Sequence, residues 1–232
     1  VLAGVTNMNF RAFDLDYLDV DRAKVFLADL AEFEKQGTLP RLMFIRIGND
    51  HTSATAAGKY SPRAAVADND WALGQIIEGL SKSKFWPQTA VFVLEDDAQN
   101  GPDHVDSHRS PAYVLSPYTR RGIVDSTFYN TTSMLRTMEL ILGLKPMTHF
   151  DASATPLWNA FAAKPDPRPY TAEKPGYPME ERNPANTPLA RRAAKLDLDE
   201  ADEIDDREMN ALLWAALKGN ESPAPLRSFF GR

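Results

Sequence analysis

Three stretches of the chain carry apolar residues at the three- and four-residue intervals that place them on one face of an α-helix. The second stretch opens with Ser61 and Pro62, residue types favoured at a helix N-terminus. The first is followed by Gly37 and the third contains Gly143 near its end, as is common at helix C-termini. This pattern predicts helices at residues 20–36, 62–80 and 131–144.

Three short apolar runs, each bounded by polar residues, are typical of buried β-strands. They lie at residues 41–47, 89–95 and 111–117. Strands that alternate with helices favour an α/β fold with a layered sheet, in which ligands bind where strands end. Polar loops that contain histidine follow the first two predicted strands, at residues 49–51 and 95–108.

The composition changes after residue 163. Residues 165–188 contain seven of the chain's 17 prolines, which predicts either a linker or a strap that wraps the surface. Residues 196–219 predict one more helix, whose acidic N-terminal end is favoured by the helix dipole. Its expected docking face is formed by Ile204, Leu212, Leu213 and Ala216.

Composition sets limits on the possible functions. The chain has 232 residues, 43% of them hydrophobic, which is enough for one sizeable core. A net charge of -6 disfavours nucleic-acid binding, and the absence of cysteine excludes disulfides and thiolate metal ligands. No apolar run approaches the roughly 20 residues of a membrane span. The first residues, "VLAGVTNMNF", resemble neither a signal peptide nor a translation start.

Five carboxylates and two histidines crowd into the loop between Glu95 and His108. One interpretation is a solvated surface turn. The other is a metal site, because unpaired carboxylates at this density would repel one another and take up protons. Three of the four histidines, His51, His104 and His108, lie in the two predicted strand-end loops near aspartates, whereas His149 lies apart and is interpreted as structural. Imidazoles together with carboxylates favour Zn²⁺, Mn²⁺ or Fe²⁺.

The segments "NDHTSATAAG" and "TAVFVLEDDAQNGPDHVDSHRSPAYVLSPY" resemble the C-terminal half of a phosphoesterase of the alkaline phosphatase superfamily. The resemblance covers residues 39–162. It is greatest to the branch of phospholipase C-type and acid-phosphatase-type enzymes, and within it to bacterial proteins that join this domain to a YncE-like β-propeller. It implies a three-layer α/β/α sandwich, here incomplete, over residues 1–163. Residues 164–232 would then form the Pro-rich strap and a C-terminal helix packed on the same domain.

The resemblance also implies two metal-binding loops, with ligands at Asp50, His51, Asp96, Asp97 and His104, and with His108 as a competitor for the last position. The family more often separates the first Asp and His by a few residues, so which of Asp50 and His51 binds metal stays open. Asp97 stands where many relatives have histidine, which predicts a more oxygen-rich site. Asp103 is expected to orient a ligand.

The family's nucleophile, a Ser or Thr at a helix start, has no counterpart in the expected place. Thr52, Ser53 and Thr55 lie near the predicted ligands, but in the wrong chain order. We therefore expect the nucleophile upstream, in an N-terminal half of a longer protein, and expect this chain to be an inactive C-terminal piece.

The resulting hypothesis is that the protein hydrolyses small phosphoric esters with two divalent metal ions. Zinc is the expected metal, with Mn or Ca as alternatives. The other domains of the parent, an N-terminal half or a β-propeller, would be its partners, in the periplasm or outside the cell. The alternatives are a non-catalytic surface module stabilised by metal, and a related phosphotransferase or sulfatase.

Overall fold

The computed structural model describes residue 2 and residues 4–96, 109–198 and 203–219. Most of the regular structure in this part of the chain is helical, with one two-stranded sheet. The helices are α1 (Asp19–Gln36), α2 (Pro62–Lys82), α3 (Thr131–Leu142), α4 (His149–Ser153), α5 (Pro188–Ala193) and α6 (Asp206–Lys218). The strands are β1 (Val91–Leu94) and β2 (Ala112–Leu115), and short 3₁₀ turns lie at Asn49–His51, Trp86–Gln88 and Trp158–Ala160.

The first three helices confirm the periodicity predictions to within about two residues at each end. The Ser61 hydroxyl accepts a hydrogen bond from the Ala64 N–H at 3.2 Å, as an N-cap should. Gly37 and Gly143 end α1 and α3 in the left-handed conformation, with φ of 79° and 70°. That conformation is strained for residues with a Cβ atom, which explains why glycine ends both helices.

The apolar core lies between α1 and α2. It contains Ala23, Phe26, Leu30, Ala72, Ile76 and Leu80, with Leu27 packed against it. A Cβ atom on Gly79 would lie 2.4 Å from Leu27 Cδ2, so glycine lets this leucine pack directly on the surface of α2.

Two of the three predicted strands form, as a small antiparallel sheet in which Val91 pairs with Leu115 and Leu94 with Ala112. The prediction of a strand at residues 41–47 is wrong. None of their backbone groups is hydrogen-bonded to another backbone group in the described part of the chain, and the Phe44 side chain is 83% exposed. An apolar run becomes a strand only beside a hydrogen-bonding neighbour, and no described residue provides one here. The fold is mixed helix and sheet, consistent with a partial α/β domain.

The Pro-rich segment lies along α2, which favours the strap over a flexible linker. Its Tyr170 N–H donates to the Ser81 hydroxyl at 2.9 Å, and its Ala172 N–H donates to the Glu78 carboxylate at 3.0 Å. Further along, Arg182 pairs with Tyr60 in an antiparallel bridge.

The predicted C-terminal helix is shorter than expected. It begins at residue 206, because the Asp205 carboxylate caps it by accepting the Glu208 N–H at 2.9 Å. Met209 and Leu212 of α6 pack against Ala54 and α5, with Ile204 and Leu213 partly buried beside them, whereas Ala216 is exposed. Among the described helices, none is both long and apolar enough to cross a membrane.

Candidate functional site

A cleft of about 2000 Å³ opens between residues 39–48, the α1–α2 pair, β1 and α3. Its walls are largely apolar, with the unpaired segment 41–47 along one side and β1 among its lining. Asp50, His51 and Asp96 all line this cleft. The structure therefore places residues from two separate loops of the sequence on the lining of one cleft.

Asp50 is held by a single neighbour. Its Oδ1 accepts a hydrogen bond from Asn69 Nδ2 at 2.9 Å, and no other described residue donates to this carboxylate. The side chain is half-buried at the edge of the cleft. Asn69 therefore fixes the direction of the carboxylate and leaves Oδ2 with lone pairs for a ligand.

His51 is held from two sides. Its ring makes an edge-to-face contact with Phe13, with centroids 5.6 Å apart, and its Nδ1 lies 3.2 Å from the Thr52 carbonyl oxygen. Because a carbonyl oxygen only accepts, this contact requires the proton on Nδ1. The lone pair is then on Nε2, where it can bind a metal or take up a proton.

A buried polar network, which the sequence pattern did not predict, anchors this loop to both core helices. Asp19, fully buried at the start of α1, accepts the Asn49 N–H at 2.7 Å and the Asn69 amide at 3.0 Å. Asp68, buried in α2, accepts the Asn49 amide and the Asp19 N–H, both at 2.7 Å. Since the Asn69 amide donates to Asp19 and Asp50 alike, the network extends to the edge of the cleft.

Arg22 balances the buried charge of this network. Only 2% of it is exposed, and its Nη1 lies 2.9 Å from Asp19 Oδ1. The guanidinium also donates to four backbone carbonyl groups, those of Arg11, Ala12, Asp14 and Tyr17. Arg22 thus joins the loop at residues 11–17 to helix α1, which carries Asp19.

One signal in the sequence could have revealed the network. Asp68 falls at four-residue intervals from Ala64, Ala72 and Ile76, in the middle of the apolar stripe of α2. A carboxylate at such a position requires buried partners. Nothing in the local pattern identifies those partners, which lie 19 and 49 residues away in the chain.

A protein-family model matches residues 6–145, which is more than half of the chain and includes the cleft residues Asp50, His51 and Asp96. The chain belongs to the Phosphoesterase family. No curated protein and no solved structure matches it in the corresponding comparisons. Membership of the Phosphoesterase family makes the hydrolysis of phosphoric esters the expected kind of activity.

The other predicted ligands of this Phosphoesterase-family chain, Asp97, His104 and His108, lie outside the described residues, as does Asp103. In the part that the structure describes, no three His, Asp or Glu side chains cluster closely enough to hold a metal ion. His149 is exposed at the start of α4 and does not line the cleft.

The chemistry of the donors at the cleft fits a divalent metal. The Asp50 and Asp96 carboxylates and the unprotonated Nε2 of His51 are oxygen and nitrogen ligands of the type that Zn²⁺ and Mn²⁺ accept. These three side chains do not lie close enough together in the structure to hold a metal ion by themselves. A metal bound here would need further ligands from the acidic loop or from elsewhere.

The residues after His51 form a buried, strained turn. Thr52 has φ 62° and ψ 166°, and Ala54 has φ 45°, conformations that cost on the order of 1–3 kcal/mol each in residues other than glycine. The Thr52 hydroxyl accepts the Ala54 N–H at 3.0 Å, and the Thr55 hydroxyl donates to the Leu189 carbonyl at 2.9 Å. Neither threonine lines the cleft, and nor does Ser53.

Replacing Asp68 by asparagine should change how stability depends on pH. Burial raises the pKa of the Asp68 carboxyl above its usual range, although the N–H of Asp19 and the amide of Asn49 oppose the shift. A carboxyl whose pKa is raised by folding stabilises the fold fully below its unfolded pKa of about 4, and this contribution is lost as pH rises through the folded-state value. Asparagine does not ionise, and its Oδ1 can keep the two 2.7 Å bonds.

The Asp68→Asn variant should therefore gain stability relative to wild type as pH rises from about 4 to 8. Urea unfolding of both proteins across this range measures the difference. If the wild type instead gained stability relative to the variant as pH rises, the raised pKa of Asp68 would be contradicted.

Proposed function

We propose that this chain is the metal-binding part of a phosphoesterase that hydrolyses small phosphoric esters with two divalent metal ions, in an alkaline phosphatase-type fold. The observation that carries the proposal is that Asp50, His51 and Asp96 all line one cleft, within the span matched by the Phosphoesterase family. Zinc is the first choice of metal, with Mn and Ca as alternatives.

The roles of the residues follow from their chemistry. Asp50 and Asp96 supply carboxylate oxygens and His51 supplies Nε2, while Asp97 and either His104 or His108 complete the ligands and Asp103 orients one of them. Two bound dications would neutralise these carboxylates, stabilise charge on the phosphoryl oxygens and activate an oxygen nucleophile. Asn69 holds Asp50 in place, as outer partners of metal ligands commonly do.

The walls of the cleft indicate how the rest of such an enzyme would join. Segment 41–47 has unpaired backbone groups and an exposed Phe44, and β1 has one strand partner in the described part of the chain. Both line the cleft. An apolar strand from the part that carries the Ser or Thr nucleophile would pair there by β-augmentation and complete the three-layer sandwich. We propose a periplasmic or extracellular location for the assembled enzyme.

The proposal predicts that inorganic phosphate binds to the chain only when metal is bound, because the metals provide the grip on phosphate. Isothermal titration of phosphate into the chain, with and without Zn²⁺, measures this without any need for turnover. Saturable binding with Zn²⁺, and none after chelation, is the expected result. Equal binding in both conditions, or no binding in either, would contradict the proposed phosphoesterase site.

A further inference from the structure

The turn after His51 keeps a backbone conformation that its own residues disfavour. Thr52 and Ala54 both have positive φ, and neither is glycine. Such conformations persist only where surrounding contacts determine them, and they concentrate at functional sites. The Thr52 carbonyl oxygen belongs to this turn and is the group that contacts His51 Nδ1. The conformation of the turn therefore sets the tautomer and direction of the His51 ring.

Asn183, on the Pro-rich strap, holds the turn. It is 8% exposed, and its Nδ2 donates to the carbonyl groups of Ala54 at 2.9 Å, Ala56 at 3.0 Å and Tyr60 at 3.3 Å. Its two amide hydrogens are thus shared among three carbonyl oxygens. Its backbone N–H donates to the Lys59 carbonyl at 2.9 Å and its own carbonyl accepts the Gly58 N–H at 3.1 Å. No other described residue donates a hydrogen bond to the Ala54 carbonyl oxygen.

Two further anchors of the turn also come from the C-terminal region. The Leu189 carbonyl accepts the Thr55 hydroxyl at 2.9 Å, and Met209 and Leu212 of α6 pack on Ala54, which is fully buried. The supporting residues, Asn183, Leu189, Met209 and Leu212, all lie beyond residue 145, where the match to the Phosphoesterase family ends. The C-terminal region of this chain therefore supports a turn that lies inside the family span.

We propose that Asn183 is a positioning residue: it holds the turn at residues 52–60 so that the Thr52 carbonyl fixes the direction of the His51 ring at the cleft. The inference rests on the proposed function only in assigning His51 to a metal. The hydrogen bonds that hold the turn stand without that assignment.

The test compares Asn183→Asp with Asn186→Asp. The first change preserves shape but replaces the shared donor by a carboxylate that faces three carbonyl oxygens. The second makes the same chemical change three residues away on the exposed part of the strap. Should Asn183→Asp fail to unfold cooperatively in urea, Asn183→Ala removes the donor without adding charge.

The first readout is the NMR chemical shifts of the His51 ring nitrogens, which report the tautomer and surroundings of the ring. These signals are identified among those of the four histidines by their loss in His51→Gln. The second is the affinity for Zn²⁺ by calorimetry. We expect the folded Asn183 variant to shift the His51 ring signals and to lower Zn²⁺ affinity by about 10-fold or more. Asn186→Asp should match wild type in both readouts.

The outcomes separate the two proposals. Unchanged His51 signals in a folded Asn183 variant would overturn the positioning role, as would unchanged Zn²⁺ affinity in a protein whose wild type binds the ion. If the wild type bound no Zn²⁺, the proposed metal site would be contradicted. Shifted His51 signals in the Asn183 variant would still support the positioning of His51 by Asn183.

Discussion

Replacing Arg22 by methionine should lower the free energy of unfolding by about 3–5 kcal/mol, the usual cost of removing one partner of a buried ion pair. The change leaves the Asp19 carboxylate without its buried cation, and it removes the guanidinium donors from the Arg11, Ala12, Asp14 and Tyr17 carbonyl groups. Methionine is close enough in size to fill the space, so the loss reflects charge and hydrogen bonding more than packing.

Urea unfolding of the variant at neutral pH measures this loss. The matched control is Arg11→Met, since the Arg11 side chain is 60% exposed and, among the described residues, pairs with Asp14 near the surface. A surface pair of this kind contributes about 0–1 kcal/mol. Equal losses in the two variants would contradict the account of Arg22 as the cation that compensates the buried network.

Substitution of the proposed ligands should weaken metal binding by about 10-fold or more for each residue removed, judged by what even the outer partners of metal sites contribute. His51→Ala removes the Nε2 donor, and Asp96→Asn removes the charge of a carboxylate at the same cleft. His104→Ala tests the ligand proposed in the acidic loop. Calorimetric titration of Zn²⁺ and Mn²⁺ measures each affinity.

His149→Ala is the matched control for both histidine variants, because His149 is exposed on α4 and does not line the cleft. It should bind metal as tightly as wild type. If all four variants lost affinity equally, or none of them did, the assignment of ligands would be wrong.

The elements that depend on local pattern are the ones that the sequence predicts well. The apolar periodicity and end signals of α1, α2 and α3 are local, and those helices form as expected. The segment 41–47 has an equally clear apolar pattern, yet it forms no strand, because a strand also depends on a neighbouring strand, which is not specified by the local sequence. The start of α6 depended on one capping carboxylate, that of Asp205, inside a run of many acids.

The candidate site shows the same difference between features set by the local sequence and features that depend on distant residues. The grouping of histidines and aspartates in two loops predicted a metal site, and three of those residues, Asp50, His51 and Asp96, line one cleft in the structure. Their role as metal ligands stays a prediction. The supports beneath them were not predicted, because Asp68 finds Asp19 across 49 residues and Asn183 finds Ala54 across 129. The local sequence around an asparagine or aspartate does not show whether its side chain forms a buried long-range hydrogen bond or lies in a surface loop.

The measurement that tests the central claim most directly is the metal content of the purified chain, by mass spectrometry after dialysis against a weak chelator. The account predicts close to stoichiometric Zn or Mn, which is reduced in the His51→Ala and His104→Ala variants and retained in His149→Ala. A chain that folds but holds no metal, even after dialysis against added Zn²⁺ or Mn²⁺, would contradict it. The acidic loop would then be interpreted as a solvated surface and not as part of a metal centre.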